Sequence, residues 1–436
     1  MPVTYWCERA WLPGGVARAV RLGVAEGRLT EVTPDAPRTG TVLSGLVLPG
    51  FANAHSHAFH RALRGRTHHD RGTFWTWRER MYALAGRLDP DSYYRLARGV
   101  YAELVLAGYT SVGEFHYLHH DPLGRPYADP NAMGAALVAA AADAGIRLTL
   151  LDTCYLTGGF GRDLDEHQVR FGDGDAEGWV RRVEAFRPEG GHVRLGAAVH
   201  SVRAVPVWAL PVVAGWARGK PLHVHLSEQR AENEECLRHH GRSPTAVLSD
   251  AGVLGPDTVA VHATHVGESD RSALARSGTR ACFCPTTERD LGDGIGPARA
   301  LHDAGVRLCL GSDSHAVVDP FAELQALELD ERLAAQSRGR FTPAELLAAA
   351  TDHRALGWTG VGELVPGAAA DLVGVDLSSV RTAGTEPGGA PMAATAADVR
   401  DVLVAGREVV RGGEHLLVER PAAVLAEEIG RLWSGT

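Results

Sequence analysis

The stretch Phe51-Ala-Asn-Ala-His55-Ser-His57-Ala-Phe-His60 governs the interpretation of this sequence. It follows the apolar run 45–50, which predicts a short buried strand ended by Pro-Gly. Side chains alternate across a strand, so His55 and His57 point to the same face of an extended backbone. Imidazole is the commonest metal ligand in proteins, and the pair predicts one side of a metal site. Because the chain has 21 histidines, this prediction needs support from residues further along.

Composition limits the class of protein. The 436 residues suit a large barrel with an appended domain. A net charge of −9 and a pI of about 6.2 lack the electrostatic footprint of a nucleic-acid-binding protein. No apolar run is long enough to predict a membrane span, which takes about 18 residues or more. The N-terminus lacks the basic-then-apolar order of a signal peptide, so we expect a cytoplasmic protein.

Two residue types carry less information than their numbers suggest. Of the 44 lysines and arginines only Lys220 is a lysine, which leaves 43 arginines. This compositional bias weakens any single arginine as an indication of carboxylate binding. The six cysteines form no C-x-x-C motif and lie mostly in apolar runs. We therefore expect buried free thiols, and a thiolate zinc site is disfavoured.

Apolar segments alternate with Ala/Leu-rich segments from residue 45 to about residue 360. This pattern predicts an α/β fold, a (β/α)₈ TIM-type barrel over residues 49–361. Residues 1–48 and 362–436 instead suggest strands and hairpins, and we expect them to form one small β-sandwich domain from both chain termini. The predicted barrel strands are Leu46–Asn53, Ser111–His116, Arg147–Leu151, Val193–Val199, Leu222–Leu226, Val259–His262, Thr279–Cys284 and Val306–Gly311.

Polar side chains stand where several of these strands end. In an α/β barrel the C-terminal strand ends surround the active site, so these side chains should converge. Three neutral imidazoles and one carboxylate suit a divalent metal, with Zn²⁺ favoured, and leave a position open for water. The predicted ligands are His55, His57, His225 and Asp313. Glu228, three residues beyond His225, is predicted to transfer protons at the rim.

Each assignment has an alternative. His223 shares a strand face with His225 and could be the ligand instead, but it should lie one layer deeper. His265 competes with His262 for the end of the sixth strand. Asp313 could cap a helix, and Glu228 could belong to the solvated charged run 228–235. The coincidence of all these residues at strand ends favours a metal site.

These motifs resemble the amidohydrolase superfamily over essentially the whole chain. The resemblance rests on His-Ser-His after the first strand, His225-Leu-Ser-Glu228, His262 and Ser312-Asp313. Further blocks resemble the formimidoylglutamate deiminases within that superfamily: Phe74–Glu79, Glu114–Asp121, His200–Val205, His262–His265 and Leu291–Gly294. The resemblance implies a single-metal enzyme that hydrolyses N-formimidoyl-L-glutamate to N-formyl-L-glutamate and ammonia in histidine degradation.

The resemblance also implies roles. Asp313 would accept the proton of the attacking water, His262 would stabilise the tetrahedral centre, and Glu228 would protonate the departing nitrogen. The implied substrate-binding residues are His60, Arg78, Tyr117, His200 and Arg203. The two arginines suit a substrate with two carboxylates, because guanidinium pairs with carboxylate bidentately.

The sequence departs from the family pattern in two places. His60 stands where a glutamine is usual, and Glu288-Arg289-Asp290 precedes Leu-Gly-Asp-Gly where Ala-Asn is usual. Either change could alter the substrate pocket.

Two other functions fit the same pattern. One is a deaminase of heterocycles of the guanine or triazine type, which the paired arginines disfavour. The other is a catalytically silent barrel, which the intact set of metal and acid-base residues disfavours. For partners we expect a small-molecule substrate and a homodimer, with no nucleic acid and no membrane.

Overall fold

The computed structural model describes residues 3–68 and 72–434, whose strands form two sheets. The strands are β1 (Val3–Leu12), β2 (Gly15–Ala25), β3 (Arg28–Thr33), β4 (Thr41–Pro49), β5 (Phe51–Ser56), β6 (Tyr109–His116), β7 (Arg147–Cys154), β8 (Val193–Val199), β9 (Leu222–Leu226), β10 (Thr258–His262), β11 (Arg280–Phe283), β12 (Leu308–Leu310), β13 (Leu372–Val375), β14 (Val399–Val404), β15 (Arg407–Arg411) and β16 (Glu414–His415).

Helices separate the strands from β5 to β13. They are α1 (Phe74–Ala85), α2 (Pro90–Leu106), α3 (Ala132–Ala144), α4 (Ala176–Ala185), α5 (Leu210–Trp216), α6 (Arg230–His240), α7 (Pro244–Asp250), α8 (Glu268–Ser277), α9 (Pro285–Leu291), α10 (Ala298–Asp303), α11 (Pro320–Ala335), α12 (Pro343–Ala350) and α13 (Pro421–Trp433). Short 3₁₀ helices lie at Ala58–Leu63, Val169–Phe171, His353–Leu356, Pro387–Met392 and Ala396–Asp398.

Strands β5 to β12 form the barrel, each paired in parallel with the next along the chain. The ring closes where Ser56 of β5 pairs in parallel with Asp313, just beyond β12. Strands β6, β7 and β9 are buried along their whole length, because helices cover the outside of the ring and side chains fill its interior. The predicted (β/α)₈ barrel is confirmed.

The second sheet combines strands from both ends of the chain, in the order β16-β15-β14-β13-β4-β1-β2-β3. Its last strand, β3, also meets the segment before β13, since the Leu29 N–H donates to the Ala368 carbonyl and the Gly367 N–H donates to the Leu29 carbonyl. The sheet thus folds over on itself around a hydrophobic cluster of its own, which includes Leu22 and Leu372. The small domain built from both termini is confirmed, whereas its boundaries at 48/49 and 361/362 stay a prediction.

The predicted first strand, Leu46–Asn53, is wrong as a single element. Strand β4 ends at Pro49 in the small sheet, and β5 begins at Phe51 in the barrel. The chain changes sheets at Gly50, whose N–H donates to Asp371, while the Phe51 N–H donates to Gly108. A Cβ at Gly50 would lie 2.3 Å from the Thr110 hydroxyl oxygen, so the crossing requires glycine. His55 therefore lies inside its strand and not beyond it.

The C-terminal helix α13 packs on the barrel helix α2. The Arg95 guanidinium donates to Glu428 at 2.7 Å, and Gly99 lets Leu425 approach so closely that a Cβ there would lie 2.9 Å from it. This helix falls in the segment that the sequence assigned to the small domain.

Two expectations from composition can be compared with the structure. All six cysteines are free and buried, as predicted. Across residues 3–68 and 72–434, none of the helices has the length and apolar character needed to cross a membrane.

Candidate metal centre and substrate cavity

The first pair of predicted ligands comes from β5 and the residue after it. His55 lies in β5, and His57 continues the extended backbone with φ −123° and ψ 91°. The His57 N–H donates to the Asp313 carbonyl at 3.1 Å, and the Asp313 N–H donates to the His55 carbonyl at 2.9 Å. These backbone bonds fix the two histidines against Asp313, and the alternation of side chains turns both rings inward.

The remaining predicted ligands converge on the same point. The Nε2 atoms of His55 and His225 are 3.1 Å apart. The Oδ1 atom of Asp313 lies 3.4 Å from His55 Nε2 and 3.5 Å from His57 Nε2. The alternative ligand His223 points away, because its Nε2 bonds to the Ala355 carbonyl at 2.9 Å. The structure therefore brings His55, His57, His225 and Asp313 together and leaves His223 outside.

This donor set fits a divalent metal. Burial lowers the pKa of all three histidines below the usual value, to about 3 for His57, so their rings are neutral near pH 7. The Nδ1 of His57 bonds to the Phe115 carbonyl at 2.9 Å, which leaves Nε2 free to coordinate. Two nitrogens bound to one zinc ion at about 2.0–2.1 Å lie about 3.0–3.5 Å apart, a separation that the Nε2 atoms of His55 and His225 match.

His262 lies beside Asp313, on the side of the centre that faces Glu228. The Nε2 of His262 lies 3.6 Å from Asp313 Oδ2 and 3.9 Å from Glu228 Oε1. Three residues at this point have left-handed backbones, with φ +40° at Asp313, +70° at His262 and +51° at Ser227. Such conformations cost about 1–3 kcal/mol each and cluster where function requires a fixed geometry.

The protonation of these groups follows from burial and neighbouring charge. Burial raises the pKa of Glu228 to about 7, which suits a group that exchanges protons at neutral pH. Burial lowers the pKa of His262, but Glu228, Glu288 and Asp313 together raise it to about 10. Burial would also raise the pKa of Asp313, yet the hydrogen bond from His55 and the neighbouring histidines hold it well below its usual range.

A cavity that is open to solvent lies above the centre. The predicted site residues that line it are His57, His60, Arg78, Tyr117, His200, Arg203, His225, Glu228, His262 and Asp313. His55 lies beneath them at the floor, with no exposed surface.

The two arginines of the cavity differ in their partners. The Arg203 Nε donates to Glu232 at 3.1 Å, and its side chain is 14% exposed. The Arg78 guanidinium lies over the rings of Trp75 and Tyr82, at 4.6 and 5.5 Å from their centroids. Among residues 3–68 and 72–434, no carboxylate lies within ion-pair distance of Arg78. Within the described part of the chain, Arg78 is therefore a charge beside the cavity without an ion-pair partner.

His60, Tyr117 and His200 form the wall between Arg78 and the metal centre. The His60 Nε2 lies 3.1 Å from the Tyr117 hydroxyl, and its ring centroid is 4.6 Å from that of His57. The His200 ring meets Tyr155 at 4.4 Å and His225 at 5.1 Å. His60 also forms a possible ligand group with His57 and Asp313, so it reaches the edge of the centre.

Several residues of the site were not predicted. The buried Glu288 bonds to His262 Nδ1 at 3.3 Å and to the Cys284 N–H at 2.9 Å, so it orients the His262 ring. Glu114 accepts from the Ser56 hydroxyl at 2.8 Å and the Ala58 N–H at 2.7 Å, which supports the extended backbone on both sides of His57. A glutamate inside an otherwise apolar strand was the signal that could have found Glu114, whereas Glu288 stands in a polar run that gives no such signal.

The alternative residue His265 and the two departures from the family pattern, Arg289 and Asp290 on α9, lie outside the cavity. His265 is half-buried and lies outside the residues that line the cavity. Arg289 pairs with Asp330 at 2.6 Å, and Asp290 pairs with His68 at 2.8 Å. Both departures from the family pattern at 289 and 290 therefore engage other side chains outside the cavity.

A second group of possible ligands lies outside the cavity, at the ends of β6 and β7. It consists of His116, His119 and Asp152. Both oxygens of Asp152 already accept from the Arg182 guanidinium, at 2.8 and 2.9 Å. A guanidinium in this position disfavours a second cation, so we assign the group to the support of the strand ends.

The comparisons with known proteins agree with this architecture. The Amidohydrolase family model matches residues 46–409. The chain is 40% identical to a formimidoylglutamate deiminase of Pseudomonas aeruginosa, with 98% of this chain and 99% of that protein covered. It is 28% identical to an 8-oxoguanine deaminase of the same organism, with 90% of this chain and 89% of that protein covered.

Solved structures show the same fold. An amidohydrolase from Brucella melitensis superposes with a TM-score of 0.89 at 33% identity and covers 99% of each chain. A mutant atrazine chlorohydrolase from Arthrobacter aurescens, crystallised with zinc and atraton, superposes with a TM-score of 0.86 at 22% identity, over 98% of this chain and 100% of that one. The family match and the related deiminase identify a hydrolase acting on carbon–nitrogen bonds, and the chain belongs to the amidohydrolase family.

Proposed function

We propose that this protein hydrolyses the formimidoyl group of N-formimidoyl-L-glutamate, giving N-formyl-L-glutamate and ammonia in histidine degradation. The observation that carries the proposal is the pair of guanidinium groups, Arg78 and Arg203, in the cavity that contains Glu228, His262 and Asp313. Glutamate has two carboxylates, one for each guanidinium group. The formimidoyl group of the bound substrate would then lie against the metal centre. The 40% identity to a formimidoylglutamate deiminase supports it.

The ligands His55, His57, His225 and Asp313 would hold one divalent ion, which we propose is Zn²⁺. An ion bound by these residues would supply Lewis-acid chemistry, lowering the pKa of water so that hydroxide is available near neutral pH. Asp313 accepts the proton that the water releases. Hydroxide oxygen then bonds to the formimidoyl carbon, and the carbon–nitrogen double bond becomes a single bond.

His262 and Glu228 act on the two sides of the resulting tetrahedral carbon. The Nε2–H of His262 donates to the oxygen on that carbon. Glu228 transfers a proton to the terminal nitrogen of the adduct formed from the protonated formimidoyl group, and the carbon–nitrogen bond breaks. Ammonia leaves while the hydroxyl on the carbon returns a proton to Glu228 and becomes the carbonyl. One water is consumed, and its oxygen stays in the formyl product.

The substrate is held by the upper wall of the cavity. We propose that Arg78 and Arg203 each take one carboxylate and that His60, Tyr117 and His200 contact the chain between them. Arg78 has no ion-pair partner in the described part of the chain, so a carboxylate would neutralise it.

A second candidate is a deaminase of heterocycles. The aromatic residues that line the cavity, among them Trp77, Tyr155 and Phe171, offer faces on which a flat ring could stack. The 28% identity to an 8-oxoguanine deaminase gives it some support. A neutral heterocycle, however, would leave Arg78 without an ion-pair partner among the described residues.

Ammonia release distinguishes the two candidates. The purified protein should be assayed with N-formimidoyl-L-glutamate, N-formimidoyl-L-aspartate and guanine, with its metal content measured by elemental analysis. We expect release from the glutamate derivative in preference to the aspartate derivative, and none from guanine. Preference for guanine would refute the proposal, and a metal-free protein inactive on all three would favour a silent barrel.

Two further properties are proposals. We propose that the protein forms a homodimer and that it is located in the cytoplasm. Sedimentation equilibrium tests the first, and cell fractionation tests the second.

A further inference from the structure

The charged run 228–235 contains a second buried carboxylate besides Glu228, that of Glu232. Glu232 lies on the first turn of α6, and its side chain is 1% exposed. Glu234, two residues along the same helix, is exposed. A buried carboxylate is costly unless it is paired and hydrogen-bonded, so its partners indicate its role.

Glu232 has two partners, one on each oxygen. Oε2 accepts from the Arg203 Nε at 3.1 Å, and Oε1 accepts from the Ser227 N–H at 3.2 Å. Both partners adjoin the cavity: Arg203 lines it, and Ser227 precedes Glu228. One carboxylate thus connects the substrate-binding side of the cavity with its proton-transfer side.

The bond to Nε determines which edge of Arg203 is available. A guanidinium offers donors on two edges that can each grip a carboxylate. Glu232 occupies the edge that includes Nε, so the terminal edge is left for a ligand in the cavity. In residues 3–68 and 72–434, Glu232 is the carboxylate within ion-pair distance of Arg203.

The bond to Ser227 holds a strained turn. Ser227 has φ +51°, a left-handed conformation that is unfavourable for a residue with a side chain. Its N–H is bound by Glu232, which sits at the third position of α6 and satisfies a backbone donor just before the helix. This turn sets the direction in which Glu228 leaves the backbone.

We propose that Glu232 is a positioning residue that turns the free edge of Arg203 toward a substrate carboxylate and fixes the turn that carries Glu228. The inference rests on the proposed function and deepens it. Without Glu232, the next carboxylate able to attract Arg203 is Glu228, whose charge already acts on it. If Arg203 paired with Glu228, neither side chain could act on the substrate. We expect this loss of activity to exceed any gain in carboxylate binding from an Arg203 that no longer pairs with Glu232.

The test is Glu232→Gln, with Glu234→Gln as the matched control on the same helix. Glutamine keeps an oxygen for the Ser227 N–H but presents an amide N–H to Arg203. With N-formimidoyl-L-glutamate we expect kcat/KM to fall about 10- to 100-fold, the range for a hydrogen bond to a charged group. The control should stay within about twofold, as surface substitutions do.

Two analogues, each lacking one carboxylate of the substrate, separate positioning from a general structural effect. On the analogue that lacks the carboxylate bound by Arg203, Glu232→Gln should lower kcat/KM by a smaller factor than on the full substrate. Arg203→Lys should likewise lower kcat/KM less on that analogue than on the full substrate. The loss in the double variant should be smaller than the product of the two single losses. An equal loss on all three substrates, multiplicative losses, or no loss would overturn the inference.

Two controls keep the outcomes distinct. If Glu232→Gln does not fold, Glu232→Asp keeps the charge but is too short to reach both partners, and the same comparison applies to it. If the wild-type protein releases no ammonia from N-formimidoyl-L-glutamate, the proposed function fails and the inference fails with it. An active wild type with an unaffected Glu232 variant overturns the inference alone.

Discussion

Replacing His225 by alanine, beside the same replacement of His223, tests the metal centre with a matched pair. Both rings are buried on the same strand face, two residues apart. Loss of the His223 ring removes a bond worth about 0.5–1.5 kcal/mol and leaves the Ala355 carbonyl unsatisfied, at about 1–3 kcal/mol. Loss of the His225 ring removes its stacking on Phe115, centroid distance 4.3 Å, which is worth about 0.5–1.5 kcal/mol beyond area burial.

The two variants should therefore both be less stable, while only one loses metal. Substitution of a residue that merely supports a ligand costs about 10–100-fold in metal affinity, so removal of a ligand should cost more than about 100-fold. We expect His225→Ala to lose metal and activity and His223→Ala to retain both.

The measurement is metal stoichiometry by elemental analysis after dialysis, with far-UV circular dichroism to establish that each variant is folded. Activity is measured on the same samples. The reasoning is refuted if folded His223→Ala loses its metal while His225→Ala keeps it.

Three further predictions concern the acid-base and specificity residues. Glu228→Gln should keep the metal and lose turnover by about 10²–10⁴-fold, measured as kcat beside metal content; full activity or a vacant metal site would contradict a proton-transfer role. Arg203→Lys and Arg78→Lys should each lower kcat/KM by a factor that corresponds to about 1.5–3 kcal/mol, because lysine keeps the charge but cannot form two parallel hydrogen bonds to one carboxylate. Unchanged kinetics would contradict carboxylate binding. His60→Gln should preserve activity, since glutamine can also hydrogen-bond Tyr117, and loss of turnover with metal retained would contradict that reading.

The arrangement of the metal centre was predictable because it depends on periodicity and topology. Alternation placed His55 and His57 on one face, and it placed His223 on the same face as His225 but one layer deeper. Parallel strands in a barrel carry their C-terminal ends to one side, so His225, His262 and Asp313 followed from strand ends alone. The structure brings these side chains together and turns His223 away from them, while their roles as ligands and acid-base groups stay a prediction.

The supporting residues were not predictable in the same way. Glu232 stands in a run of charges that has the composition of a solvated helix face, and only the tertiary structure shows that it turns inward to Arg203. Glu288 was noticed as part of a departure in sequence, but its bond to His262 depends on how α9 approaches β10. The crossing at Gly50 was missed because a continuous apolar run does not reveal that it serves two sheets.

The two departures from the family pattern have different consequences for specificity. Arg289 and Asp290 pair with Asp330 and His68, outside the residues that line the cavity, so we expect them to leave substrate choice unchanged. His60 lines the cavity and meets the Tyr117 hydroxyl at 3.1 Å. Its Nδ1 is buried and has no hydrogen-bond partner among the described residues, so a substrate polar atom could satisfy it. Any retuning of specificity in this chain should therefore be found at His60, between the metal centre and Arg78.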